Sequence, residues 1–133
     1  MKSIEKIKYQ NKIIAIIIRF SFHKDGIEFF SPKDFSQQLG YMNRPKGYKI
    51  QPHIHLLHDR KVKLTQETLV IRKGKIKVNF YTPKKKYFKS VILKTGDIIL
   101  LANAGHGFEF LEKSEIIEIK QGPYLEKEDK IKF

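Results

Sequence analysis

The 133 residues carry 27 Lys and Arg against 14 Asp and Glu, a formal charge of +13, with 41% hydrophobic and 12% aromatic content. That length suits one domain of roughly 100–150 residues, and that much apolar material argues for a folded chain over a disordered one. The absence of cysteine excludes a disulfide framework and thiolate metal sites, so any metal here must sit on nitrogen and oxygen.

Residues 1–6 lack the apolar stretch and small-residue cleavage site of a secretory signal. The apolar run at 13–18 is far shorter than the roughly 20 residues of a membrane span. A cytoplasmic protein is therefore expected. Residues 12–22 read as the first strand, His23-Lys24-Asp25-Gly26 as a turn, and 27–30 as a second short strand. Ser31-Pro32-Lys33-Asp34 opens like a helix, with proline just inside and an acid in the first turn, which predicts one short helical turn through Gln38. Residues 41–47 contain Asn43, Pro45 and Gly47 and read as irregular, and 48–57 returns to a strand.

Further strands follow at 68–73, 75–81, 87–93, 97–102, 108–111 and 115–120, separated by Gly74, Thr82-Pro83-Lys84, Thr95-Gly96 and Glu112-Lys113-Ser114. In the second of these, Ile76, Val78 and Phe80 alternate with Lys75, Lys77 and Asn79, the period of a half-buried strand. Ile98 to Ala102 is apolar on both faces and should lie centrally. The expected fold is all-β: an antiparallel barrel of nine or ten strands, closed or nearly so, in one domain spanning 1–133. The 13–18 run suits either a buried strand or the interface of a homodimer.

From Arg60 to Lys94, twelve Lys or Arg stand against one acid, Glu67. Such clustering can mark a nucleic-acid surface. However, Lys73, Lys75 and Lys77 alternate with Ile and Val as on the wet face of strands, where lysine also discourages edge-to-edge pairing. The pattern favours a solvated strand face over a nucleic-acid surface, with an anionic small substrate as a further reading.

In His53-Ile54-His55 the two imidazoles stand at i and i+2 on a predicted strand, on one face, as a chelating pair would. An exposed pair without function is an equal reading of those two residues alone. Glu67, isolated in a basic stretch, calls for a partner. His106 lies between Gly105 and Gly107, which would free the backbone to aim its ring inward. His23, beside a turn, reads as solvated.

These residues resemble the motifs of the cupin superfamily. Its first motif runs Gly, five residues, His-X-His, a short spacer, Glu, six residues, Gly. Here Gly47 precedes His53-Ile54-His55 by five residues and Glu67 precedes Gly74 by six, with a longer spacer of eleven residues between His55 and Glu67. Gly96 and His106 resemble the ends of the second motif, without its proline and one residue short. The resemblance covers about 47–120. It implies a cupin-type double-stranded β-helix, or jelly roll, and a divalent metal such as Zn, Mn, Fe or Ni held by His53, His55, Glu67 and His106. His58 is the alternative to Glu67, although at odd parity from His55 it faces away on a regular strand.

Cupins acting on nucleotide-linked sugars imply instead a metal-free site, with His53, His55 and His106 as acid and base. Arg60, Lys61 and Arg72, with Gln37, Gln38, Asn43 and Arg44, could then meet phosphates. The Pro-His-X-His entry and the Lys120-Gln121-Gly122-Pro123-Tyr124 exit are similar to small cupins of bacterial surface-polysaccharide gene sets. A third reading is a ligand-binding module without catalysis. The C-terminal segment either packs across the barrel or a neighbouring subunit, or is an ordinary surface tail.

Overall fold

A computed structural model describes residues 3–127 and 129–133. Ten strands form one five-stranded, one three-stranded and one two-stranded antiparallel sheet, and no helix occurs among the described residues. The five-stranded sheet has the order β1 (Ile4–Tyr9), β2 (Lys12–Ile18), β8 (Ile98–Leu101), β5 (Glu67–Lys73), β10 (Glu115–Lys120). The three-stranded sheet is β7 (Tyr87–Lys94), β6 (Lys75–Tyr81), β9 (Gly105–Phe110), while β3 (Gly26–Phe29) and β4 (Gly40–Asn43) pair by themselves.

Alternation places the core. Ile76, Val78 and Phe80 of β6 are essentially unexposed and join Val91 and Leu93 of β7. Against them pack Ala15 and Ile17 of β2, Leu69 and Ile71 of β5, and Ile99 and Leu101 of β8, so the two larger sheets share one core. Strand β8 is the middle of its sheet and buried on both faces, as its unbroken apolar run implies. Strand β2 is equally buried between β1 and β8, which accounts for the 13–18 run as a core strand. The lysines follow the bland pattern: Lys77 lies on the outer face, paired with Glu109 at 3.2 Å.

No closed barrel is formed among the described residues: β1 and β10 edge one sheet, β7 and β9 the other. Three further features differ from expectation. Strand β1 was not anticipated, because its charged residues mask the alternation. Its signal is Gln10-Asn11, both at positive φ (49° and 64°), the two-residue loop that matches strand twist. Residues 40–43 are strand β4 and not irregular, since Gly40 makes room for the Phe29 ring packed 2.6 Å from where a Cβ would stand. The expected helical turn is a single tight turn, Phe35 N to Pro32 O at 3.1 Å. It continues no further because the Gln38 amide takes the Pro32 and Phe35 carbonyls instead.

The remaining difference concerns 48–57. These residues join no strand ladder among the described residues, and the whole stretch 43–65 is exposed. Ile54 is 90% exposed and Leu57 101%. Each such side chain forgoes about 1.5–3 kcal/mol that burial would provide.

Candidate functional site

Glu67 opens β5 and pairs in register with Leu101, at the end of β8 opposite Asp97. His106 lies on β9, directly across from Phe80 and therefore on the core side of its sheet. The two come from different sheets, and His106 Nε2 lies 2.7 Å from Glu67 Oε1. The isolated acid of a basic stretch thus has its partner. The glycines around His106 do not supply an unusual backbone; Ala104 does, at φ 71°, its amide donating to Asn103 Oδ1. Gly105 is needed for space, since the Phe133 ring lies 2.9 Å from its absent Cβ.

The pair faces a cavity of about 450 Å³, also lined by Phe108, Glu118, Lys120 and Lys130. Glu118 and Lys120 were missed in the sequence. In β10 the apolar Ile117 and Ile119 suggest an inward face, yet they are 46% and 54% exposed, while Glu118 pairs with core Leu69 and Lys120 with Glu67. Nothing local distinguishes the two phases of that strand; the register with β5 decides.

Electrostatics divide the two carboxyls. Burial pushes the Glu67 carboxyl up, but His106, Glu118 and the Lys120 charge outweigh it and hold it at about 2. The Glu118 carboxyl is raised, first by sharing a proton with Glu67, then by burial. Asp129, 3.2 Å from Lys120 Nζ, raises that ammonium. The site therefore keeps one firm carboxylate beside a histidine and a second carboxyl that holds its proton longer.

The C-terminal segment builds the rim. Gln121 N donates to Gln66 O at 3.1 Å, Ser36 Oγ to Gln121 Oε1 at 2.8 Å, and the Phe133 ring stands edge-on to Tyr81 at 5.2 Å. The tail touches the mouth through Asp129 and Phe133, while 122–127 and 130–133 stay exposed.

The other predicted residues lie elsewhere. His53 and His55 sit together on the exposed stretch, ring centroids 5.2 Å apart, and His58 borders a hollow made only of its own neighbours, residues 55–60. His53 Nδ1 meets Gln51 O at 2.8 Å. Among the described residues no group of three or more His, Asp or Glu is placed to hold a metal ion. His23 is exposed, as expected. Of the expected phosphate-binding groups, Arg72 is exposed on β5, Arg44 stacks on Tyr48 at 4.0 Å, and Gln37 bonds Thr68 and Gln66. None lines the Glu67–His106 cavity; Lys120, Lys130 and Lys132 do.

No family model, curated protein or solved structure matches this chain. No helix among the described residues is long and apolar enough to cross a membrane.

Proposed function

We propose that the chain is a cupin-type fold whose mouth performs acid–base chemistry on a small anionic substrate of the nucleotide-linked sugar class. The observation that carries this reading is the 2.7 Å approach of His106 Nε2 to Glu67 Oε1 at a cavity rimmed by lysines. With Nε2 committed to a firm carboxylate, Nδ1 is the nitrogen left for substrate, and Glu67 steadies the imidazolium formed when it takes a proton. A carbon-bound proton next to a carbonyl suits such a base, and lysines suit the phosphates of the carrier.

The test is exchange of carbon-bound protons for deuterium in a panel of nucleotide-linked keto sugars, followed by NMR. The native protein should exchange at least one member, and His106→Ala should slow it by about 10²–10⁴-fold. Equal rates in native and variant protein, or no exchange across the panel, would end this reading.

A second reading has a divalent ion, such as Zn, Mn, Fe or Ni, held by His53, His55, Glu67 and His106. It is supported by the pairing of His53 and His55 on one side of their segment. The residues present do not fit an ion within this one chain as it stands, because only Glu67 and His106 meet. Elemental analysis of native protein beside a His53→Ala, His106→Ala variant tests it: stoichiometric metal lost in the variant supports a metal site, and none after loading removes it.

A further inference from the structure

Two features of the chain are unfinished, and their shapes correspond. The first is the gap between the edge strands β9 and β10. On the core side of β9, His106, Phe108 and Phe110 stand across from Phe80, Val78 and Ile76. The three β6 residues are buried, whereas Phe108 is 37% and Phe110 61% exposed. The sheet therefore ends one strand early on its apolar side, and the free edge of β9 offers unpaired backbone groups.

The second is the stretch 48–57, which has the composition of the missing strand. Ile50, Ile54 and Leu56 share one parity, and His53, His55 and Leu57 the other. Both parities carry side chains that water does not favour, yet Leu56 and Leu57 touch almost nothing of their own chain. Its roots are fixed. Asn43 pairs with Gly26 in the β3–β4 ladder, and Gln66 is buried and bonded to Gln37 and Gln121.

The folded chain favours a second copy over its own edge, because residues 43–65 stay exposed while the β9 edge stays unpaired among the described residues. Turn-forming residues lie before it, at Pro45 and at Gly47 with φ 87°. From Ile54 to Gln66 there is no Gly, Pro or Asn, and Asp59 is the one residue there that favours the reversal needed to fold back beside its own Glu67. Hydrogen-bonding chemistry agrees with the fit: Glu67 and Glu118 line the gap beside Lys120, Lys130 and Lys132, and the segment would bring two imidazoles to those carboxyls.

We propose that residues 48–57 are exchanged between two copies of this chain. The segment of each adds to the β9 edge of the other, so that every Glu67–His106 pair is completed by His53 and His55 from a second copy. Such an exchange is symmetric and closes as a dimer. It rests on reading the Glu67–His106 mouth as the site, and it makes that site a shared one.

The chain's lack of cysteine makes the test clean. Ile54 lies opposite in parity to His53 and His55, and Gly107 opposite to His106, so both would face outward on neighbouring strands. A Cβ at Gly107 meets only Tyr81, at an ordinary 3.8 Å. The native protein is sized by light scattering, and the Ile54→Cys, Gly107→Cys variant is treated with a short bismaleimide and weighed by mass spectrometry. A native dimer and a covalently linked dimer of the variant are expected. A link within one chain would show that the segment closes on its own barrel. A monomeric native protein, or a dimer without the link, would equally overturn the exchange. The readout needs neither substrate nor metal, so a failed assay at His106 and a failed cross-link are separate results.

Discussion

At the Asp97 end of β8 the chain has tied off its polar groups, whereas at the Leu101 end it leaves a histidine, two carboxyls and two aromatic rings facing a gap. Asp97 accepts from Phe20 N, Lys94 N and Arg19 Nη1 at 2.8–3.0 Å, and Arg19 Nε also reaches Glu5 at 2.6 Å. At the other end Glu67 has His106, but Glu118 is left competing for a proton and Phe110 for cover. Both ends bury a carboxylate beside a cation or a histidine. The difference lies in completeness: a buried ion pair whose remaining hydrogen bonds are all made serves structure, and one that opens on a cavity is available for chemistry.

The strongest way to break this comparison is at the closed end. Asp97→Ala removes one carboxylate from the Arg19 guanidinium, which keeps Glu5, and leaves the Phe20 and Lys94 amides without their side-chain acceptor; it is expected to cost about 3–5 kcal/mol in urea unfolding. If Glu67→Ala proves equally costly, the two ends do not differ in role.

Acid titration sharpens it. The Glu67 carboxyl lies at about 2 in the folded chain against an ordinary 4.5, so its contribution is complete above about pH 4.5 and is lost as pH falls toward 2. Solvent screening at the open mouth reduces that contribution to about 1–2 kcal/mol, and the raised Glu118 opposes it. Unfolding measured across that window should lose this increment in the native chain and not in Glu67→Gln. An unchanged acid limb would mean that the His106 contact contributes nothing to folding.

The smallest effect is expected on the exposed stretch. Ile54→Ser with Leu57→Ser should change the stability of an isolated chain by no more than about 0.5 kcal/mol, since neither side chain is buried there. The same pair should shift the dimer toward monomer on a sizing column. A large loss of stability without dissociation would place these residues against the sheets of their own chain.

Much of the fold was legible because it rests on local alternation and turn chemistry. Strands β6 and β10 begin and end where the sequence puts them, and β8 is central because Ile98 to Ala102 is apolar on both faces. Half of the candidate site was legible too. An acid alone among twelve cations needs a partner, and Glu67 has one in His106.

What alternation cannot supply is the identity of a strand's neighbour. Residues 48–57 have a strand's composition, and only the assembled sheets show that no partner stands beside them within the chain. The inward phase of Glu118 was hidden for the same reason, because a shift of one residue in the pairing of β10 with β5 would have sent Ile117 and Ile119 to the core instead. Side-chain period is written in the sequence itself. Register and partner choice are long-range properties, set by how backbone edges and apolar faces are shared out once the whole chain has folded.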